Sequence, residues 1–385
     1  MTLPVDLAQL PAVTAVLAAN AGEYDRSGAF PHTGIRAVHE AGLLTATVGR
    51  QYGGPGLGVD GLTRILLALG RGDPSVALIA SMTQLPHLFQ ALHPTWPAAV
   101  YADVLAASAA GPALLNTCRV EPDLGSPSRG GLPATVARRT VSGWSLSGRK
   151  RFVTGAAGLS YFLVWAGTDE PSPRVGTFVV PADTLGIEVV PAWNQLGLRA
   201  SGSHDVVFTD VPIPRDDVLA LVPADDRAQQ DNLAGGALHL PLAAIYVGVA
   251  RAAQDWFHRF AHERVPANLG RPIATTDRFK AAAGEIEALL STAERLLLDA
   301  TARFEAGTPP TGAEALAARV IANRHAVAAV TLATRLLGNP GLNRDNPLER
   351  HFRDVQSALV HAPQEDVALQ AIGAAALSSA ALEHA

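Results

Sequence analysis

The residues best able to do chemistry in this 385-residue chain are a few arginines, histidines and carboxylates set beside glycine turns. Arg264 is followed by Leu269-Gly270, and Arg335 by Leu337-Gly338-Asn339-Pro340-Gly341-Leu342. A cationic donor beside closely approaching backbone N–H groups can hold a phosphate dianion; solvated helix surface is the competing reading of both arginines. His361, in His361-Ala362-Pro363-Gln364, can donate or accept a hydrogen bond near neutral pH, unless it only packs or caps a helix end. Glu365 and Asp366 read first as acids complementing a helix N-terminus and second as bases. His87, near the end of Ser81-Met82-Thr83-Gln84-Leu85-Pro86-His87-Leu88, lines a pocket or is a satisfied core histidine. No His pair stands at HExxH spacing, and the single cysteine, Cys118, reads as a buried inert thiol, so no metal site is expected.

These residues lie on three segments of different character. Residues 1–111 carry apolar residues at helical spacing, such as Ile35, Val38, Leu43 and Leu44, then Leu62, Ile65, Leu66 and Leu69. Residues 112–220 alternate short β-branched and aromatic runs with Gly, Pro and Asp turns, the pattern of antiparallel strands. Residues 221–385 return to the helical period, with one stripe running Phe279, Ala283, Ile286, Leu289, Leu290, Ala293, Leu296, Leu297 and Ala300. The predicted architecture is α+β and multidomain: an N-terminal α-helical domain, a central antiparallel β-barrel-like domain and a C-terminal four-helix bundle.

Composition narrows the function classes. With 48% hydrophobic residues the chain can bury a large core, and a net charge of −5 with scattered basic residues argues against a nucleic-acid partner. The apolar stretch Ala234–Ala253 is interrupted by His239, Pro241 and Arg251, which suits a buried helix better than a membrane span. The N-terminus lacks the basic start and apolar run of a signal peptide, and one cysteine suits a reducing compartment, so a cytoplasmic protein is expected.

Several motifs, in order along almost the whole chain, resemble those of the acyl-CoA dehydrogenase superfamily. Val120-Glu121-Pro122-Asp123-Leu124-Gly125-Ser126 resembles the family's TEPxAGS loop, and Lys150-Arg151-Phe152-Val153-Thr154-Gly155 resembles its KxWIT(N/G)G strand. Gln195 to Ser201 matches the MGLRxS turn, Glu263-Arg264 with Leu269-Gly270 resembles ERxxFG with a two-residue insertion, and Arg353-Asp354 matches an Arg-Asp step. The resemblance implies FAD as cofactor, held by Val120, Ser126, Phe152, Val153, Thr154, Arg264, Leu269, Arg335, Gly338, Asn339, Gln364 and Asp366. Phe152 would stack near the isoalloxazine and Thr154 would bond near N5. In relatives the arginine of ERxxFG reaches the FAD pyrophosphate of a neighbouring subunit, which implies a homodimer or homotetramer.

The resemblance also exposes a gap. Dehydrogenation next to a thioester needs a carboxylate to take the α-proton. Eight residues after Asp354, where most relatives carry that glutamate, stands Ala362. The alternative site, on the first helix of the bundle, aligns with Leu238, and His239 replaces an arginine that helps hold CoA. His361-Ala362-Pro363 is similar instead to a His-x-Pro of dibenzothiophene-oxidising monooxygenases. Those enzymes take reduced flavin from a reductase and form a flavin hydroperoxide in a dry pocket, with an acid or hydrogen-bond donor nearby.

Three functions follow. The first is an FAD-dependent oxidoreductase that oxidises an acyl thioester or related small molecule with a non-standard base and passes electrons to an electron-transfer flavoprotein. The second is a two-component monooxygenase served by a flavin reductase, with FMN in place of FAD and His361 as the donor. The third is a non-catalytic scaffold. His87, Leu238 and His239 are the expected substrate contacts, and His361 the expected catalytic residue beside Ala362.

Overall fold

The computed structural model describes residues 5–124, 132–226 and 239–383. Ser126 and Leu238 lie outside the described residues.

The N-terminal part consists of helices α1 (Leu10–Ser27), α2 (His32–Glu40), α3 (Val59–Gly72), α4 (Pro74–Leu92) and α5 (Ala98–Ala110). Leu62, Ile65, Leu66 and Leu69 of α3 are fully buried, as their spacing requires of one helix face. That face packs on α6 (Leu240–Glu263), the first helix of the C-terminal part. Two glycines permit a close crossing: a Cβ on Gly70 would fall 2.3 Å from the Ile245 carbonyl oxygen, and one on Gly248 2.3 Å from that of Leu67. Val247 and Val249, flanking Gly248, are fully buried.

The central part is one sheet of eight strands: β1 (Leu115–Cys118), β2 (Val136–Arg139), β3 (Gly143–Val153), β4 (Tyr161–Thr168), β5 (Arg174–Pro181), β6 (Ile187–Val190), β7 (His204–Pro214) and β8 (Val218–Pro223). The order is β6-β7-β3-β2-β4-β5-β8, with β1 added alongside β4. Most pairs are antiparallel, but β1–β4 and β2–β4 are parallel. β8 runs through Pro223, three residues past position 220. Trp144 and Phe178 meet edge-to-face inside this sheet, as do Phe162 and Phe208.

A buried ion pair anchors the strand that leads to the candidate site. Lys150 Nζ lies 2.6 Å from Glu121 Oε1, with both side chains almost fully buried. Glu121 also accepts the N–H groups of Ala134 (2.6 Å) and Thr135 (3.0 Å). Burial pushes this carboxyl up, but the bonds from Lys150, Thr135 and Ala134 outweigh it and hold it below the usual carboxylate range.

The C-terminal part continues with α7 (Asp277–Glu305), α8 (Gly312–Leu337), a short α9 (Asn339–Leu342), α10 (Leu348–Val355) and α11 (Glu365–Glu383). Ile286, Leu290, Ala293, Leu297 and Ala300 form the buried line of the α7 stripe. Helix α8 starts with a capping box between Thr311 and Glu314. No helix among the described residues is long and apolar enough to cross a membrane.

Candidate active site

Strand β3 ends in a conformation that presents an aromatic ring. Phe152 has φ 56°, unusual for a bulky residue, and is 47% exposed although Val153 beside it is buried. Its ring meets Trp193 edge-to-face at 6.2 Å, and the Arg151 guanidinium sits 4.9 Å from its centroid. The Arg151 N–H donates to the Val120 carbonyl (2.8 Å), joining this strand to the Glu121 segment. Thr154 is buried. Its hydroxyl is 2.9 Å from that of Ser203, which is 2.9 Å from that of Ser201, and its carbonyl accepts from Asn116 (2.8 Å).

The segment carrying His361 is held by residues that sequence reading passed over. Arg319, buried on α8, donates to the carbonyls of His361 (2.9 Å), Ala362 (3.0 Å) and Pro363. Asn323, one turn along, donates to the Ala358 carbonyl (3.0 Å). The Ala362–Pro363 peptide is cis. Tyr246, fully buried on α6, places its hydroxyl 2.5 Å from His361 Nδ1. Burial and then the Arg319 cation push the His361 imidazole down to about 4, so it is neutral at pH 7. Burial also lowers Arg319 to about 10, against the pull of Tyr246. Tyr246 reads in sequence as one more core residue of Ala243-Ala244-Ile245-Tyr246-Val247. Arg319 hides in an alanine-rich helix where a solvated face is the default reading.

Among the acids near this pair, Asp354 acts on Tyr246 through space while accepting the Leu198 N–H. Ala362 is exposed and offers only a methyl group. Glu365 is engaged with Arg324 at 2.7 Å, and Asp366 is exposed on the first turn of α11. Gln364 keeps a buried Oε1 without a partner, an acceptor open to a ligand donor.

The Arg-Asp step ties all three parts together. Asp354 Oδ1 accepts the Leu198 N–H (2.7 Å) of the Gly197-Leu198-Arg199 turn. Arg353 grips Asp25 of α1 through two bonds of 2.9 and 2.6 Å, and Arg199 donates to the Asp25 carbonyl (2.8 Å). Gly197 allows this approach, because a Cβ there would lie 2.4 Å from the Arg353 carbonyl oxygen. Burial lifts Asp354 to about 7 against the pull of the Leu198 bond and Arg350.

The remaining nominated residues fall elsewhere. Arg264 caps α6 eighteen residues from Tyr246, about 27 Å along the helix at about 1.5 Å per residue. Arg335 is sixteen residues beyond Arg319 on α8, about 24 Å away by the same rise. Both are exposed, as are Gly338 (φ 63°) and Asn339, and neither guanidinium bonds another described residue; Leu269 is half-buried. His239 precedes α6. His87 is fully buried on α4: Nδ1 is 3.0 Å from the Tyr101 hydroxyl, Nε2 has no partner, and burial lowers it to about 4. A separate cavity of about 730 Å³ opens beside β1, lined by Phe89, Trp96, Arg119, Trp165, Thr177 and Val222 among others, and by none of the nominated residues. Arg119 stacks over Trp165 there, 5.3 Å from the ring centre.

The three parts match known domains in the same order. Residues 12–90 match the N-terminal domain of acyl-CoA dehydrogenases, 117–211 the middle domain and 240–365 the C-terminal domain. A putative acyl-CoA dehydrogenase of Bacillus subtilis (strain 168), YdbM, is 32% identical over 363 residues, covering 93% of each chain. The chain belongs to the acyl-CoA dehydrogenase family. Within the family, its relatives include proteins named for other chemistry. The amino sugar nitrososynthase DnmZ of Streptomyces peucetius is 31% identical over 89% of this chain and 85% of its own. A solved structure of KijD3, in complex with FMN and a dTDP-linked 3-amino sugar, superimposes with a TM-score of 0.84 at 28% identity, covering 97% of this acyl-CoA dehydrogenase family chain and 93% of KijD3.

Proposed function

We propose that this chain is a flavin-dependent monooxygenase that oxidises an electron-rich heteroatom, an amine above all, of a small substrate, using reduced flavin from a separate reductase. One observation carries the reading. Where dehydrogenation needs a carboxylate, the chain offers the methyl group of Ala362 and a neutral imidazole, His361, fixed by Tyr246. A methyl cannot take an α-proton, and an imidazole that protonates only near pH 4 is a weak base. As a neutral, fixed hydrogen-bond donor it suits oxygen transfer better than proton abstraction. The names of DnmZ and the ligands of KijD3 support an amine substrate.

The residues present fit a flavin. Phe152 offers a partly exposed ring face for stacking, and the Gln364 Oε1 is a buried acceptor without a partner. When bound, reduced flavin supplies two electrons to O₂, so that one oxygen atom passes to the substrate lone pair and the other leaves as water with two protons. Phe152 and Trp193 would orient the flavin ring, Thr154 would lie beside it, and the Arg319-held loop would hold His361 towards it. Arg264, Arg335, Gly338 and Asn339, some 25 Å off along α6 and α8, would serve the phosphates of a cofactor bound in a neighbouring subunit of a homo-oligomer.

The test supplies the chain with FMN or FAD, an NADH-dependent flavin reductase, a dTDP-linked 3-amino sugar and ¹⁸O₂. Incorporation of one labelled oxygen atom, dependent on both reductase and chain, is expected. Oxidation of an acyl-CoA in the absence of oxygen overturns the reading in favour of acyl thioester dehydrogenation, which the likeness to YdbM supports.

A further inference from the structure

We propose that Tyr246 is a positioning residue that locks His361 in its Nε2–H tautomer, so that the ring presents a fixed hydrogen-bond donor and never a base at the face away from Tyr246. A Tyr hydroxyl carries one donor, and a neutral imidazole carries one N–H and one acceptor nitrogen. The Tyr246 hydroxyl is sealed in the core, and His361 Nδ1 is its one partner among the described residues. If Nδ1 carried the proton, it would donate to the phenol oxygen and leave the Tyr246 O–H buried with nowhere to go, an arrangement folded proteins avoid. If the phenol donates to Nδ1, the sealed O–H is satisfied, and the imidazole proton sits on Nε2, on a half-buried residue where a free N–H can meet solvent or a ligand. That nitrogen makes no bond to a described residue, so its N–H is available to a ligand.

Arg319 closes the alternatives. Its two terminal nitrogens are engaged by the carbonyls of His361, Ala362 and Pro363, its Nε makes no hydrogen bond, and its charge disfavours an imidazolium beside it. The same three bonds fix the loop against α8, and so the ring against Tyr246.

The tautomer stands on this geometry alone; its use as a donor rests on the monooxygenase reading. Solid-state ¹⁵N spectra of histidine-labelled protein at pH 7, with flavin bound, read it directly. Twelve histidines contribute, so His361 is isolated by difference against His361→Gln. A protonated Nε2 and a bare, hydrogen-bonded Nδ1 are expected, and Tyr246→Phe should give a mixture of tautomers. In reductase-coupled turnover Tyr246→Phe should lower kcat at least tenfold with KM within twofold. A protonated Nδ1, an imidazolium at pH 7, or an unchanged His361 signal in Tyr246→Phe overturns the lock. A shifted tautomer with unchanged kcat overturns the positioning role. Should Tyr246→Phe fail to fold, the wild-type spectrum still decides the tautomer, and Arg319→Lys, which cannot span three carbonyls in one plane, should loosen it. Acyl-CoA oxidation without oxygen would sink the monooxygenase reading while leaving the tautomer result intact.

Discussion

The Tyr246 hydroxyl lies 2.5 Å from His361 Nδ1, although 115 residues separate the two. The contact joins the first helix of the C-terminal bundle to the loop before its last, and makes a nominated histidine a neutral, oriented group. Proton transfer at this position is disfavoured and hydrogen bonding favoured, the reverse of what a dehydrogenase needs of its base.

Phe152 should matter to flavin more than to folding. Its ring is about half exposed and held in a rare backbone conformation, so truncation loses little core. Phe152→Ala is expected to weaken flavin binding about tenfold, roughly 1.4 kcal/mol, with a melting temperature close to wild type. Fluorescence titration of the flavin against each protein measures the first, and calorimetry without flavin the second.

The Lys150–Glu121 pair should be costly to break from one side. Lys150→Met leaves a buried carboxylate without its cation and is expected to destabilise by about 3–5 kcal/mol in urea. Adding Glu121→Gln removes the charge yet keeps an acceptor for the Ala134 and Thr135 N–H groups, so the double variant should recover part of the loss.

Asp354 behaves as a hydrogen-bond acceptor whose charge is a burden. Its carboxyl is lifted to about 7, so the native state holds a proton that the unfolded chain has released above about pH 4. This contribution to stability declines as pH rises towards 7. Asp354→Asn keeps the bond to the Leu198 N–H without the charge, and its stability relative to wild type should improve between pH 5 and 8. Asp354→Leu, which strands that N–H, should cost about 3 kcal/mol near pH 5 and less as pH rises towards 7.

Histidines shielded from water set the acid limit. His87 and His361 titrate near 4 and His351 near 3, each pushed down first by burial. Below about pH 6.5 the unfolded chain takes up protons that the native chain refuses, so stability falls as pH drops from 6.5 towards 4. The three imidazoles outnumber the two buried carboxyls that pull the other way, Asp354 and Asp73. The melting temperature should fall over this range, and less steeply in His87→Gln, as a pH series of thermal melts will show.

The helical and strand segments were legible in sequence because their evidence is local. The α3 and α7 stripes are periodic, and the strands are short runs between turns. The parallel pairing of β1 and β2 with β4 was not, since it joins residues 31 to 46 positions apart with no turn to announce it. The site divided in the same way. Phe152, Thr154 and His361 sit in linear motifs, whereas Tyr246 and Arg319 gain meaning only once α6 and α8 meet the His361 loop. A tyrosine among valines and an arginine among alanines carry no local sign of that meeting.

An anaerobic titration separates oxygen transfer from thioester dehydrogenation. The flavin-loaded chain is deoxygenated and butyryl-CoA added while the oxidised-flavin absorbance is followed. The account predicts that the absorbance persists at a large excess of thioester, because neither Ala362 nor His361 can take the α-proton. Bleaching at a rate set by butyryl-CoA concentration would contradict it, and would show that this pocket holds a base where the structure places a methyl group and a neutral imidazole.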